Sequence, residues 1–222
     1  MAKNKVLLKL KPVEVINNIE IAENVFVLSF KRDFDFKAGQ VLGIGLSATD
    51  DARLYSIASG EKDKDVQILY NIKPEGRLTP SMAALKSGDY IWISEPFGTY
   101  FGTEEPAYWI ATGTGVAPFL SMARSGLHMH KKLIHGGRMA TAFYFQDELL
   151  ALLGDSYVRC CSAETGDNVF NGRVTQYLKT RENLPLQAKY YLCGSAEMVV
   201  ECRDILLGKN IPFDNIISEI YF

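Results

Sequence analysis

Three short segments of this 222-residue chain combine glycine, hydroxyl and charged side chains in ways that suit a phosphorylated ligand. Residues 112–118 read T-G-T-G-V-A-P and stand between a strand-like and a helix-like run. Gly113 and Gly115 allow a tight turn and a close backbone approach to a ligand, and the N–H groups at the start of a helix attract a pyrophosphate. Any strand-to-helix turn can use two glycines, however, and Pro118 stands where the full fingerprint has a third.

A second segment, residues 53–59, reads R-L-Y-S-I-A-S. Arg53 and Tyr55 are two positions apart in a strand-like run and should share one face, with Leu54 and Ser56 on the other. An arginine can bind a phosphate, and a tyrosine ring can cover an aromatic heterocycle. An ordinary barrel strand with a solvated arginine would give the same pattern, so both interpretations stay open.

The third segment, Gly76-Arg-Leu-Thr79, precedes a short helix-like run. A glycine followed by a hydroxyl at the cap of a helix can bind a phosphate. A plain threonine cap without a ligand is the alternative interpretation of the same residues.

The elements that must position these segments follow two different patterns. Residues 6–93 contain short strand-like runs broken by turns, with one helix near residues 79–85, which is typical of a β-barrel. After about residue 103, strand-like and helix-like runs alternate, which predicts a parallel sheet covered on both faces. We therefore expect a mixed fold, with an antiparallel β-barrel in residues 1–102 and a doubly wound α/β nucleotide-binding domain in residues 103–222.

Composition argues against several classes of protein. A formal net charge of -2, with 47% hydrophobic and 23% charged residues, gives no basic field for nucleic acid. Because no signal-peptide-like region and no membrane-length apolar stretch occurs, we expect a soluble, cytoplasmic protein without integral membrane association. The four cysteines lack the spacing of an iron–sulfur site. His128 and His130 have no nearby cysteine or carboxylate set, so we predict no metal site.

The order of the motifs carries a resemblance that no single motif could. R-L-Y-S, G-x-x-T, G-T-G-V-A-P, Y-L-C-G and E-x-Y follow one another along nearly the whole chain. Together they resemble the ferredoxin–NADP(H) reductase family, most of all its compact bacterial ferredoxin/flavodoxin reductases. The resemblance implies that the barrel binds FAD and that the second domain binds a nicotinamide nucleotide.

The resemblance also implies roles for individual residues. Those it places around FAD are Arg53, Leu54, Tyr55, Ser56, Gly76, Leu78, Thr79, Tyr221 and Phe222. Those it places around the nucleotide are Thr112, Gly113, Thr114, Gly115, Pro118, Arg138, Ser162, Arg173, Cys193 and Gly194. The catalytic candidates are Ser56, Cys193, Glu219 and Tyr221. Tyr221 would cover the flavin opposite Tyr55 and yield to the nicotinamide, although a frayed terminus is the alternative.

Two arginines bear on the choice of nucleotide. Arg138 in H-G-G-R and Arg173 in N-G-R resemble family positions that face the 2′-phosphate of NADP(H). The family usually has another arginine after Ser162, where this chain has Ala163. We predict NADP(H), with NAD(H) possible, and ordinary surface charge is the alternative for both arginines.

The activity that the resemblance implies is hydride transfer between NADP(H) and FAD, followed by single-electron transfer to an acidic ferredoxin or flavodoxin. A basic docking rim for this carrier could come from Lys31, Arg32, Lys37 and Arg77. Two alternatives stay open. One is an NAD(P)H-dependent flavin reductase or oxygenase reductase component, and the other is a non-catalytic electron-relay subunit of a larger complex. Cys160 and Cys161 receive no chemical role.

Overall fold

The computed structural model describes residues 8–220 and forms two six-stranded sheets, one after the other along the chain. The strands of the first sheet are β1 (Lys11–Ala22), β2 (Val25–Lys31), β3 (Val41–Gly45), β4 (Arg53–Ser56), β5 (Asp65–Asn71) and β6 (Tyr90–Ile93). They pair antiparallel in the order β4-β3-β6-β1-β2-β5. A bridge between Ile57 and Ile68 joins the two edges of the sheet and closes the predicted barrel.

The barrel interior is filled by alternate residues of every long strand, as period-two patterning requires. Its largest fully buried side chains include Phe30, Leu42, Ile44 and Tyr70. Among the described residues of this half, one helix forms, α1 (Leu78–Ala83), and it lies between β5 and β6. Asn18 on β1 donates from Nδ2 to the carbonyl oxygen of Met82 at 2.8 Å, which ties the end of this helix to the barrel.

The second sheet contains β7 (Ala107–Thr112), β8 (Lys131–Gly137), β9 (Tyr157–Cys161), β10 (Phe170–Asn171), β11 (Lys189–Gly194) and β12 (Ile216–Ile220). Its helices are α2 (Ala117–Met122), α3 (Gln146–Leu153), α4 (Val174–Thr180) and α5 (Ala196–Gly208). The strands pair parallel in the order β10-β9-β8-β7-β11-β12. The chain therefore changes direction across the sheet between β7 and β11, where α/β folds open a ligand crevice.

Helices cover both faces of the parallel sheet, as the alternating sequence pattern predicts. On one face Trp109 and Leu133 pack with Phe119 of α2 and Leu149 of α3. The opposite face packs against α4 and α5, in a cluster that includes Ile110, Ile134, Tyr177, Leu178, Val199 and Cys202. Both layers are buried, so the doubly wound architecture is confirmed.

The two sheets share one apolar interface. Val25, Val27 and Leu69 on the outside of the barrel belong to the same buried cluster as Phe119 and Leu120 of α2. The segment between β6 and β7 connects the two parts of the molecule. We propose that the division between residues 1–102 and 103–222 falls within this segment.

The helix-like run that follows the glycine turn is divided into three pieces. A 3-10 turn spans Gly113–Val116, α2 follows it, and a π-helical turn spans Ala123–Leu127. Gly126 in the π-helical turn has φ 86°, a left-handed conformation that ends regular helix. In the part of the chain that the structure describes, no helix combines the length and the apolar character that a membrane span requires.

Candidate functional site

The glycine turn after β7 packs directly on the end of β11. A Cβ added at Gly115 would overlap the carbonyl oxygen of Cys193 and lie 2.7 Å from Cα of Gly194. Gly194 itself has φ +152°, and a Cβ there would overlap Oγ1 of Thr112. Only glycine fits at both positions. The motifs G-T-G and L-C-G, distant in sequence, therefore form one surface at the point where the strand order reverses.

A cavity of about 300 Å³ lies beside this turn, at the carboxyl ends of the parallel strands. Five residues that the sequence predicts to bind nucleotide line it, namely Thr112, Gly113, Arg138, Ser162 and Arg173. They come from the ends of β7, β8 and β9 and from the residue before α4. Both arginines are exposed, yet they face one cavity, which favours a ligand-binding role over unrelated surface charge.

The other five predicted nucleotide residues, Thr114, Gly115, Pro118, Cys193 and Gly194, do not line this cavity. Three of them, Gly115, Pro118 and Cys193, are buried in the turn and the strand beneath it. Gly115 and Cys193 hold the glycine turn against β11, and Pro118 is buried at the start of α2. Whether they also touch a nucleotide remains a prediction.

Helix α5 contributes cavity residues that the sequence reasoning missed. Ser195 caps α5 by accepting a hydrogen bond from the Met198 amide, and it lines the cavity together with Glu197 and Glu201. Thr175, in the first turn of α4, lines it as well. The available signal was positional, because a helix that follows a parallel strand must begin at the carboxyl edge of the sheet.

A buried histidine supports the glycine turn from below. His135 on β8 is fully buried, and its Nδ1 lies 3.0 Å from the hydroxyl of Tyr157. Its Nε2 atom makes no well-formed hydrogen bond. The nearby backbone of Gly113 raises the pKa of His135 and so offsets part of the effect of burial. Burial lowers the pKa of His135 to about 4. The imidazole is therefore neutral at pH 7 and adds no positive charge beneath the turn.

Two of the predicted catalytic residues are neighbours. Cys193 on β11 and Glu219 on β12 stand opposite each other in the parallel register. Burial raises the pKa of the Cys193 thiol well above its usual range, and the Glu219 carboxylate adds to this shift. The thiol therefore stays protonated at neutral pH and is a poor nucleophile. Tyr221 and Phe222 lie outside the described residues.

The R-L-Y-S segment forms β4, an edge strand of the barrel sheet. Arg53 and Leu54 are both exposed, Tyr55 is half-buried and Ser56 is buried. Burial increases along the strand from Arg53 to Ser56, so solvent exposure does not separate the two predicted faces. The Tyr55 ring meets Tyr70 edge-on, and burial raises the pKa of Tyr55 to about 12, so the phenol is neutral.

Thr79 does not cap helix α1. The helix begins at Leu78 with Arg77 before it, so Thr79 lies inside the first turn and is buried. Its hydroxyl accepts a hydrogen bond from the backbone N–H of Lys73 at 2.7 Å. Gly76 is exposed and donates from its own N–H to the carbonyl oxygen of Lys73 at 2.8 Å. The threonine therefore fixes the loop that carries Gly76.

The expected basic rim is largely neutralised. Lys31 pairs with Glu14 at 2.7 Å. Arg32 pairs with Asp35 at 3.0 Å, and Arg77 pairs with Asp50 at 2.9 Å. Three of the four candidate cations are thus bound to carboxylates of the same chain, which weakens their attraction for an acidic carrier.

Comparison with known proteins agrees with this arrangement. Residues 109–204, from β7 into α5, match the family model of the oxidoreductase NAD-binding domain. A ferredoxin NADP+ reductase from Neisseria gonorrhoeae has the same fold, with a TM-score of 0.88 and 22% identity. The likeness covers 96% of this chain and 99% of that one, so it includes both sheets. The chain therefore shares the two-domain fold of this reductase, and its second domain matches the oxidoreductase NAD-binding domain.

Among curated relatives, the toluate 1,2-dioxygenase electron transfer component of Pseudomonas putida is 29% identical over 92% of this chain. A probable dihydroorotate dehydrogenase B (NAD(+)) electron transfer subunit of Methanopyrus kandleri is 28% identical over 90%. The chain spans 66% of the toluate component, 76% of the Methanopyrus subunit and 60% of a propane 2-monooxygenase reductase component from Mycolicibacterium goodii.

Proposed function

We propose that this chain takes electrons from NADP(H) onto bound FAD and passes them singly to a separate protein carrier, a ferredoxin or flavodoxin. The observation that carries the proposal is the cavity at the reversal of strand order, which gathers Thr112, Gly113, Arg138, Ser162 and Arg173 from four elements. When bound, FAD would supply the exchange between two-electron hydride chemistry and single-electron transfer.

The nucleotide side of the site fits a phosphorylated ligand. The turn at Gly113 leaves backbone atoms accessible for a close approach, because Gly113 has φ 54° and no atom lies within 4 Å of an added Cβ. Arg138 and Arg173 would bind phosphate oxygens through their planar guanidinium groups. Neutral His135 beneath the turn neither strengthens nor opposes anion binding.

The flavin side fits a flat aromatic group with a phosphate tail. Leu54 is 42% exposed and Arg53, the residue before it, is also exposed, so an apolar and a cationic side chain are both accessible on the edge strand. We propose that Arg53 binds the pyrophosphate and that the neutral phenol of Tyr55 lies against the isoalloxazine ring. Ser56, buried at the end of β4, would orient the ring through its hydroxyl group.

A second candidate function is an electron-transfer subunit or reductase component of a larger enzyme. The observation that favours it is the set of curated relatives, which are named as components of oxygenases and of dihydroorotate dehydrogenase B. The neutralised rim at Lys31, Arg32 and Arg77 also removes one argument for docking a small acidic carrier. NAD(H) would then be as suitable a donor as NADP(H).

The deciding experiment begins with the absorbance spectrum of the purified chain and continues with stopped-flow reduction by NADPH and by NADH. A bound flavin that is reduced rapidly and then reduces ferredoxin or flavodoxin would support the first candidate. Reduction by nucleotide without transfer to either carrier would favour the second. Protein that is colourless and takes up no added FAD would contradict both.

Replacing Arg138 with glutamine should weaken NADPH binding by about 10-fold to 100-fold, because one charge-assisted contact to a phosphate is lost. NADH affinity should stay within about twofold of the wild-type value. The measurement is a titration of each nucleotide followed by flavin absorbance. Arg203→Gln is the matched control, since Arg203 pairs with Asp204 on α5 and does not line the cavity. Equal losses for both nucleotides would contradict a 2′-phosphate role for Arg138.

A further inference from the structure

The chain that follows β4 is bonded to the helical segment that follows the glycine turn. The hydroxyl of Ser121 donates to the carbonyl oxygen of Ser59 at 2.7 Å. The amide of Glu61 donates to the hydroxyl of Ser125 at 3.0 Å. These two hydrogen bonds cross directly from the barrel to the parallel-sheet domain, so they hold the two segments together.

Arg124 stands at the centre of this contact and bonds to both domains. Its Nε and Nη2 atoms donate to the two carboxylate oxygens of Glu148 on α3, at 2.7 and 2.8 Å. Its Nη1 atom donates to the carbonyl oxygen of Ala58 at 3.1 Å and to Oε1 of Gln67 at 2.8 Å. The guanidinium also lies 5.1 Å from the centre of the Phe145 ring. One planar side chain thus joins three elements.

Arg124 is connected through the backbone to both proposed ligand sites, the flavin strand β4 and the glycine turn. Ala58 follows Ser56 of the proposed flavin strand by two residues, and Arg124 lies in the π-helical turn Ala123–Leu127 that continues α2. A Cβ at Gly60 would lie 3.0 Å from Cβ and the carbonyl oxygen of Arg124, so the two backbones are in contact there. A shift of one segment therefore moves the other.

On the outer side of the interface, Arg124 borders open space. An open cleft of about 730 Å³ lies beside Arg124 and is lined by Gln67 and Glu148 among others. The Arg124 side chain is only 16% exposed at the edge of this cleft, so its bonds are partly shielded from water. Lysine could not reproduce them, because an ammonium group lacks the planar fork.

We propose that Arg124 is a positioning residue that sets the placement of strand β4 relative to the glycine turn, and through it the rate of hydride transfer. The inference rests on the proposed function. Hydride transfer depends steeply on geometry, and a displacement of about 1 Å can cost roughly 100-fold in rate. Nucleotide affinity depends instead on the cavity residues, none of which is Arg124.

The test uses the full FAD-loaded chain with Arg124→Lys and, as a second variant, Glu148→Gln, which keeps the shape of the carboxylate partner. Stopped-flow reduction at saturating nucleotide should slow at least about 10-fold in Arg124→Lys, while the nucleotide Kd stays within about threefold. Independently of activity, hydrogen–deuterium exchange at residues 57–61 should become faster in both variants without ligand. Arg203→Lys, at an exposed pair within α5, should change neither quantity.

Specific outcomes would overturn the proposal. Reduction at the wild-type rate in Arg124→Lys would show that the contact does not set the geometry. Unchanged exchange at residues 57–61 would show that Arg124 does not hold the interface. A joint fall of rate, nucleotide affinity and FAD content would indicate general destabilisation instead of positioning. If the wild-type protein is reduced by neither nucleotide, the proposed function fails, and the exchange measurement alone then decides whether Arg124 joins the domains.

Discussion

Replacing Gly115 with alanine should weaken nucleotide binding by about 10-fold to 100-fold while FAD remains bound. The new methyl group would overlap the carbonyl oxygen of Cys193, and this obstacle is backbone that cannot rotate aside. Either the turn or the end of β11 must move. Overpacking of this kind costs about 1–3 kcal/mol, and each 1.4 kcal/mol changes a dissociation constant about tenfold. Titration of NADPH and NADH against flavin absorbance measures the loss.

The matched control is Gly208→Ala at the end of α5. No atom lies within 4 Å of the added Cβ there, and Gly208 is not among the glycines with positive φ. This substitution should leave nucleotide affinity unchanged and stabilise the fold by up to about 1 kcal/mol, because it restricts the unfolded chain. An affinity for Gly115→Ala equal to that of wild type would refute the role of the turn. Loss of FAD in the same variant would show that the damage reaches the barrel.

A second large effect concerns acid stability and depends on His135. Burial lowers its pKa in the folded protein to about 4 from an ordinary value of 6.5. The unfolded chain therefore binds more protons than the folded chain between these two pH values, so stability falls as pH decreases through that window. From pH 7 to pH 5 the contribution of this group to the unfolding free energy should decrease by about 2 kcal/mol.

The expected result is that His135→Asn loses about 2 kcal/mol less than wild type over the same pH interval, although its stability at pH 7 is lower. Denaturant titrations of the apoprotein at pH 7 and pH 5, followed by circular dichroism, provide the comparison. His130→Asn is the control, because His130 is exposed on the turn before β8. If His135→Asn shows the same pH dependence as wild type, the pKa of His135 is not lowered in the folded protein.

Local patterning was sufficient to predict the architecture. Short strand-like runs broken by turns predicted the barrel, and the alternation after residue 103 predicted the parallel sheet. Strand β1 departs from a regular pattern because its register shifts between Val15 and Asn17 and again between Glu20 and Ala22. Each shift moves later side chains to the other face, so Ile19 and Ile21 are exposed and the period of two is lost.

The sequence by itself determined the two-part fold, the glycine turn and the set of residues that suit phosphate and flavin, because these follow from side-chain chemistry and short-range periodicity. Only the tertiary structure decided that Arg138 and Arg173 face one cavity and that Glu197 joins them. It also decided that Arg124 bonds to Ala58 and that basic rim residues are paired. Such contacts join residues far apart in the chain. They depend on strand order and domain packing, which no local pattern of residues encodes.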